Sequence, residues 1–275
     1  GKSGSSLLQQ PAQYRDFIQW QSSGLNNGTL DAQRNFWKGK VAGVHEPLEL
    51  PFDRRRGVIK SYQGNRLSLV VNSELRSRCF IAAAQCGVTP FMFLFGAYTV
   101  LLRRFASNQE YIIGVPCAGR SFKGSENIVG YLTHLLPILV DFAEPEQLTT
   151  ADAIKATAFK SHLHRVRRLL ADAFDHQDYP FASLLKELAP NKDLAAFPLV
   201  QTTFNLDRSE GIPSFSPELA ASYASQPVSR VLVDFGINII DTNTELVIDV
   251  DYNTGLFDAA TINRMGNCFV SLLDE

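Results

Sequence analysis

The segment from Thr89 to Phe105 restricts the fold more than any other part of the sequence. Its apolar residues recur at helical spacing, and Pro90 follows a threonine whose hydroxyl can cap the first turn. The apolar positions are Phe91, Met92, Phe93, Leu94, Phe95, Tyr98, Leu101, Leu102 and Phe105. Because a helix with so wide an apolar surface has to be covered on several sides, we predict that it lies in the core.

The rest of the chain alternates between helical and strand patterns. Further helices are predicted at residues 14–20, at 73–86 before Gly87, at 150–174, at 182–188, and after Phe257 with Asp258 as the cap. One more carries Phe36 and Trp37 and begins behind either Thr29 or Asp31, each of which can cap it. Strands are predicted at 65–71, 110–115, 135–142, 200–205, 231–239 and 246–252, the last two joined by a turn at 241–244. This order predicts an α+β fold, with a mixed or antiparallel β-sheet covered by helices, and not a doubly wound parallel sheet.

The composition of the 275 residues narrows the class of protein. With 45% hydrophobic residues the chain can bury one sizeable core, and its length allows one large domain or two small ones. The net charge of −2 provides no overall field that would attract nucleic acid or an anionic membrane. No apolar run reaches the roughly 20 residues that cross a bilayer, and the polar start of the sequence is unlike a signal peptide. We therefore expect a cytoplasmic protein with no nucleic-acid and no membrane partner.

The cysteines give no sign of a metal site or a disulfide framework. Cys79, Cys86, Cys117 and Cys268 form no Cys-x-x-Cys pair, and no histidine stands at ligand spacing from them. The sequence motifs of serine hydrolases, P-loop NTPases and zinc proteases are absent too. We predict buried free thiols, no metal site and no directly bound cofactor.

Several short motifs follow one another in a fixed order. Ile-Gly-Val-Pro-Cys-Ala-Gly-Arg at 113–120 is followed by Glu126, by Val-Gly-Tyr-Leu-Thr-His-Leu-Leu-Pro at 129–137, by His-Gln-Asp-Tyr-Pro-Phe at 176–181 and by Pro-Leu-Val-Gln at 198–201. Phe36-Trp37 and Leu-Pro-Phe-Asp at 50–53 precede them, and Leu-Phe-Asp at 256–258 comes after. In these motifs the chain resembles the C-terminal half of a nonribosomal peptide synthetase condensation domain.

The resemblance implies a fold similar to that of chloramphenicol acetyltransferase. In that fold two lobes form a V, and a tunnel between them admits a donor and an acceptor arm from opposite faces. Residues 12–275 would be the C-terminal lobe, and residues 1–11, which are rich in Ser, Gly and Gln, a flexible lead-in or linker. This lobe would supply the acceptor-side wall, a floor segment near Gly114 to Leu136 and a latch segment near Asp207 to Ser229.

The same resemblance implies amide-bond formation between a carrier-bound acyl or peptidyl thioester and a carrier-bound amino acid. The phosphopantetheine arm of each carrier protein bears the substrate, and the implied partners are the N-terminal lobe, the acceptor carrier protein and adjacent synthetase modules. In this family the base lies in a His-His-x-x-x-Asp-Gly motif, and none of the five histidines here has an aspartate four residues later. We therefore predict that the chain contains no catalytic residue and is inactive alone.

Two alternatives to this function remain open. The chain can be a noncatalytic module that docks carrier proteins or neighbouring domains, or a lobe of a related epimerisation, heterocyclisation or starter acyltransferase domain. The long helix bears on its predicted solvent side Lys155, Lys160, His162, His164, Arg165, Arg167 and Arg168. This is either a solvated face or a surface for an acidic carrier protein or its phosphate, with Lys160, Arg165, Arg167 and Arg168 as docking candidates.

Two positions depart from the family pattern. Where many members have Phe-Val-Asn-Thr-Leu-Pro, this chain has Leu-Thr-His-Leu-Leu-Pro at 132–137, so His134 replaces an amide near the tunnel. That change leaves the substrate class open, and it is compatible with a hybrid polyketide-peptide assembly line. Ala-Ala-Phe at 195–197 also lacks the arginine that usually precedes the Pro-Leu pair in the family. Its absence would remove a polar contact near a segment that crosses to the other lobe.

The candidate site residues fall into two further groups. The substrate-tunnel candidates are His134 and one polar strand face, Gln201, Thr203 and Asn205, a face equally consistent with interior hydrogen bonding. The residues Gly114, Arg120, Glu126, Gly130, His176 and Asp178 are predicted to order loops, with Arg120 and Glu126 as a buried ion pair. His176 and Asp178 have the spacing of a proton relay, but their motif lies outside the family's reaction centre, which favours the loop-ordering role.

Overall fold

The computed structural model describes residues 12–43, 47–57, 60–141, 153–188, 199–209 and 226–275, with the backbone alone at 153–157. The helices in these ranges are α1 (Tyr14–Asn26), α2 (Asp31–Val41), α3 (Ser73–Gln85), α4 (Pro90–Phe105), α5 (Ala153–Asp175), α6 (Phe181–Leu188) and α7 (Ala259–Asp274). The strands are β1 (Gly64–Val71), β2 (Glu110–Cys117), β3 (His134–Asp141), β4 (Thr202–Arg208), β5 (Phe235–Asp241) and β6 (Leu246–Asn253). The predicted lead-in at residues 1–11 and the departure at 195–197 lie outside the described residues.

All six described strands belong to one mixed sheet, in the order β1-β6-β5-β4-β2-β3. β4 runs parallel to both of its neighbours, β5 and β2, and the other three pairs are antiparallel. β5 and β6 form the predicted hairpin, in which Asn243 takes the left-handed conformation with φ of 72°. The helices and this sheet confirm the predicted α+β class.

Helix α4 is the centre of the core, as its apolar pattern predicts. The Tyr98 and Thr202 hydroxyls are hydrogen-bonded, and the Tyr98 ring stacks on Phe204 with 5.3 Å between centroids. Phe269 of α7 meets the same ring edge-on, and Leu163 of α5 is fully buried. In the described part of the chain no single helix is long and apolar enough to cross a membrane; α3 and α4 reach that only as a pair bent by 101°.

Two helix caps differ from the prediction. The N-cap of α2 is Leu30, whose side chain has no group that could cap the helix. Neither predicted residue takes this position, because the Thr29 hydroxyl donates to Asn27 Oδ1 at 2.6 Å and Asp31 is already the first helical residue. Asp258 is the N-cap of α7, as predicted, but its side chain accepts no N–H of the first turn. The carboxylate of Asp53 accepts the Asp258 N–H at 2.7 Å and the Thr261 hydroxyl at 2.8 Å. The Asp258 N–H hydrogen bond is the main reason that the pKa of Asp53 is lowered.

Strand β5 starts at Phe235 and not at residue 231. The preceding residues bond to other parts of the chain: the Val231 N–H donates to the Tyr62 carbonyl at 2.9 Å, and the Asp234 N–H to the Gln201 carbonyl at 2.9 Å. The alternating valines predicted a longer strand, but these backbone N–H groups bond to residues before β1 and β4 and not within the β5 ladder. Residues 229–231 lie beside the start of β1, at the edge of the sheet, and the chain runs from there to β5 in its interior.

Candidate functional site

A pocket of about 650 Å³ lies against the face of the sheet opposite α4. Successive strand residues point to opposite faces, so Thr203 and Asn205 face away from the buried Thr202 and Phe204. Of the four tunnel candidates, His134, Thr203 and Asn205 line this pocket. The structure places Gln201 elsewhere: its Oε1 accepts the Leu48 N–H at 3.3 Å.

The polar wall of the pocket comes from neighbouring strands in register. Asn205 pairs with Asn238, and its amide donates to Asn238 Oδ1 at 2.9 Å. Thr203 pairs with Gly236, where a Cβ would lie 2.4 Å from the threonine hydroxyl, so only glycine leaves room for that hydroxyl. Asp251 of β6 follows in the same row. The sequence alone did not reveal that Asn238 and Asp251 line the pocket, because only strand register brings Asn238 beside Asn205 and Asp251 into the row of Thr203.

A charged cluster continues this wall on the same face of the sheet. The Arg66 guanidinium donates to both carboxylate oxygens of Asp251, at 2.6 and 2.7 Å, and lies 3.1 Å from Asp249. Asp249 is 0% exposed and also accepts the Ser68 hydroxyl at 2.6 Å. Both carboxylates therefore already have partners within the protein.

The apolar wall consists of α1 and the loop before β3. Phe17, Ile128 and Leu132 form a small buried cluster separate from the main core, with Trp20 and Phe122 packed around it. The exposed ring of Tyr14 leans on Gly130, where a Cβ would lie 2.5 Å from it. The aromatic helix α1 is thus a wall of the pocket and not part of the central core.

His134 joins the two walls. It is 9% exposed, and its ring meets Phe17 at 6.2 Å between centroids. Burial lowers the pKa of His134, and the charge of Asp178 opposes this only in part. Nε2 is buried and forms no hydrogen bond with the described residues. The chain therefore places a neutral imidazole, not a cation, beside the pocket at neutral pH.

Within the predicted floor segment near Gly114 to Leu136, residues 118–133 connect β2, which runs to Cys117, with β3, which begins at His134. Gly119 has φ of +62°, and a Cβ there would lie 1.9 Å from the Leu132 carbonyl, so this crossing requires glycine. Gly114 lies in β2, where it pairs with Thr203. Of the latch segment, 207–209 and 226–229 are described, and the Ser229 carbonyl accepts the Gly64 N–H at 3.0 Å.

The predicted ion pair between Arg120 and Glu126 is wrong. Arg120 donates to the carbonyls of Ser125 and, at 3.2 Å, of Ile128, and Glu126 is exposed. Backbone carbonyls of the short 3₁₀ turn at Ser125–Asn127 are nearer than the carboxylate, so the arginine ties the loop to itself.

His176 and Asp178 lie outside the pocket. His176 stacks on Phe36 at 3.9 Å between centroids, and its carbonyl accepts the Trp37 indole N–H at 2.7 Å. Asp178 accepts from the Ser121 hydroxyl and from Gln33 Nε2 at 3.3 Å. These contacts join α2 to the floor segment and leave no substrate-facing relay.

The basic face of α5 is narrower than the sequence pattern indicated. Lys160, Arg167 and Arg168 are exposed and Arg165 is partly buried, whereas the side chain of Lys155 lies outside the described residues. His162 points inward: its Nε2 is hydrogen-bonded to the Thr99 hydroxyl of α4 at 2.7 Å. Burial is the main cause that lowers the pKa of His162 to about 4.

Metal-ligating side chains do not cluster in the described residues, where no three His, Cys, Asp or Glu could hold one ion. All four cysteines are free, with Cys79 and Cys117 buried and Cys86 and Cys268 partly buried. Burial raises the pKa of Cys79 to about 11, so this thiol is a core side chain and not a nucleophile.

The mixed sheet and the order of the motifs agree with a condensation-type protein. A model of the Condensation domain family matches residues 1–275. The chain is 32% identical over 272 residues to Tyrocidine synthase 2 of Brevibacillus parabrevis, a match that covers 98% of this chain and 7% of that protein. The chain belongs to the condensation domain family of nonribosomal peptide synthetases, and it spans a small fraction of the curated relative that it matches.

Solved structures share its fold. The X-domain from teicoplanin biosynthesis superposes with a TM-score of 0.80 at 21% identity, over 95% of this chain and 59% of that one. The condensation domain from the Monacolin K polyketide synthase MokA superposes with a TM-score of 0.77 at 19% identity, over 98% of this chain and 62% of that one. The predicted chloramphenicol acetyltransferase-like architecture is therefore confirmed.

Proposed function

We propose that this chain is the acceptor-side lobe of a condensation domain, whose intact form joins a carrier-bound acyl or peptidyl thioester to a carrier-bound amino acid. The pocket carries the proposal. Its lining includes two of the most exposed large apolar side chains of the described residues, Tyr131 at 77% and Leu232 at 61%. A pocket open on one side, with apolar side chains at its edge, is the form expected of a half-tunnel that a second surface completes.

The proposed reaction forms one C–N bond and breaks one C–S bond. The acceptor amine attacks the thioester carbonyl, the nitrogen loses a proton, and the carrier thiol leaves with a proton. A base near the amine is required, and the family's histidine motif is absent from the 275 residues. Its place is not filled by His134, because a buried imidazole of lowered pKa is a weak base. This lobe contributes by holding the acceptor arm in place.

The first test is turnover. Purified chain mixed with donor- and acceptor-loaded carrier proteins is expected to yield no peptide product above the uncatalysed rate, measured by mass spectrometry of the acceptor thioester. A matched reaction in which a condensation-domain N-terminal lobe is added as a second chain is expected to form product. Robust condensation by the chain alone would contradict the proposal.

The exposed cations of α5 favour a second candidate function, docking of an acidic carrier protein, which is compatible with the first. Titration with a phosphopantetheinylated carrier is expected to show saturable binding that weakens with salt. The double variant Lys160→Glu, Arg168→Glu, which reverses two exposed charges of α5, is expected to weaken it about tenfold, or about 1.4 kcal/mol. The control is Arg264→Glu, which reverses an exposed charge on α7. Equal losses in both variants, or no binding at all, would rule out docking on α5.

A further inference from the structure

The pocket has a large apolar wall of fixed shape. Its members Phe17 and Leu132 are each 3% exposed, and they belong to the separate cluster that holds α1 against the floor segment. Tyr14 stacks on Phe17 at 6.1 Å between centroids, which fixes the aromatic surface further. A volume of about 650 Å³ leaves room for a bulky group together with part of a carrier arm.

The charges beside the pocket are already neutralised or solvated. Both oxygens of Asp251 accept hydrogen bonds from Arg66, and burial keeps His134 uncharged because its pKa is lowered. The remaining charged residue at the pocket, Arg230, is exposed, where an ion pair is screened by water and contributes little. A charged group inserted between the two walls would lose water without gaining a dedicated partner.

We propose that this pocket selects an acceptor with a large uncharged side chain, and that its walls discriminate against acidic and basic ones. The inference rests on the proposed function, since it names the class of acceptor that the lobe receives. His134 belongs to this selection: an imidazole packed on Phe17 keeps the junction of the walls apolar.

The test uses the whole chain and four soluble probes, in which phenylalanine, leucine, aspartate or lysine is joined by an amide bond to aminopantetheine, the pantetheine analogue that has an amine in place of the thiol. Dissociation constants are measured by calorimetry, and NMR of labelled methyl groups at Leu132 and Leu135 reports whether each probe occupies the pocket. The phenylalanine and leucine probes are expected to bind at least tenfold more tightly than the aspartate and lysine probes. Equal affinities, a preference for a charged probe, or no shift at the pocket would overturn the inference.

A charge placed in the wall gives a sharper result. Asn238→Asp keeps the oxygen that accepts from Asn205 and adds a carboxylate to the polar wall. It is expected to lower the dissociation constant of the lysine probe at least fivefold and to raise that of the phenylalanine probe. Asn65→Asp makes the same chemical change at an exposed position of β1 and is expected to change neither.

If Asn238→Asp does not fold, Ile18→Asp provides the same test from the apolar wall. Ile18 is exposed on α1, so its replacement leaves the core intact. A smaller shift towards the lysine probe is expected, because water partly screens a carboxylate at this exposed position, and an unchanged ranking in a folded variant would contradict the inference. Unmodified pantetheine and the carrier titration separate the two proposals. Binding of both without discrimination among the amides would overturn the selectivity alone, and binding of neither would overturn the proposed function as well.

Discussion

Replacing Arg66 with methionine is expected to lower the free energy of unfolding by about 3–5 kcal/mol. Arg66 is the charged partner of Asp249, which is fully buried, and of Asp251 at the pocket. Methionine keeps much of the side-chain volume but leaves two carboxylates together without a cation. The loss therefore reflects the cost of an uncompensated buried charge more than the strength of the ion pair. Urea denaturation followed by circular dichroism measures it.

The matched control is Arg78→Met. Arg78 also donates two hydrogen bonds to an aspartate residue, Asp274, but both side chains are exposed. Its replacement is expected to cost less than about 1 kcal/mol, because water solvates the charge that remains. Similar losses in the two variants would show that Asp249 is not isolated from water as the structure has it.

The elements that the sequence predicted well are those fixed by local signals. In α4 the Thr89 hydroxyl accepts the Met92 N–H at 3.2 Å, and Pro90 stands in the first turn, as the cap pattern indicates. α3 ends before Gly87, whose φ is +67°. These features depend on residues within one turn of each other, which a single sequence contains.

The order of the strands could not be predicted in the same way. Arg66 and Asp251 are neighbours in the sheet although 185 residues separate them, and β4 enters between β2 and β5. No local pattern specifies such pairings, and the polar wall of the pocket depends on them. The sequence therefore provided Thr203 and Asn205 by alternation but not Asn238 or Asp251 beside them.

Two residues lie elsewhere than the sequence patterns indicated, and each has a physical cause. Gln201 was assigned to the polar face by alternation, but β4 begins at Thr202 and the glutamine bonds Leu48 instead. His162 was assigned to the solvent side of α5 with the arginines. Its Nε2 is hydrogen-bonded to the Thr99 hydroxyl of α4 at 2.7 Å, and Gly96 of α4 leaves room for the neighbouring Leu163, since a Cβ there would lie 2.6 Å from it. Contacts with another helix, which the sequence pattern of α5 does not contain, therefore cover this side chain.

The inward position of His162 predicts a pH dependence of stability. Burial and the charge of Arg165 lower its pKa from 6.5 to about 4 in the folded chain. Between these values the unfolded chain binds more protons, so stability decreases as the pH falls. The stability that the neutral His162 contributes is fully present above pH 6.5 and is lost as the pH falls to 4. We expect the free energy of unfolding to decrease by about 2 kcal/mol between pH 7 and pH 5. Urea denaturation at pH 7, 6 and 5 measures this slope.

The variant His162→Gln keeps a hydrogen-bonding group for Thr99 but does not titrate. Its stability is expected to change much less between pH 7 and pH 5, with a residual slope from His134, whose pKa is also lowered. His164→Gln removes an exposed histidine of the same helix and is expected to retain the full slope. The lowered pKa values of Asp53, Asp241 and Glu187 act in a different window, because carboxylate contributions are lost only below about pH 4. An unchanged slope in His162→Gln would therefore mean that this imidazole is solvated in the folded chain, and that α5 is not packed on α4 at this position.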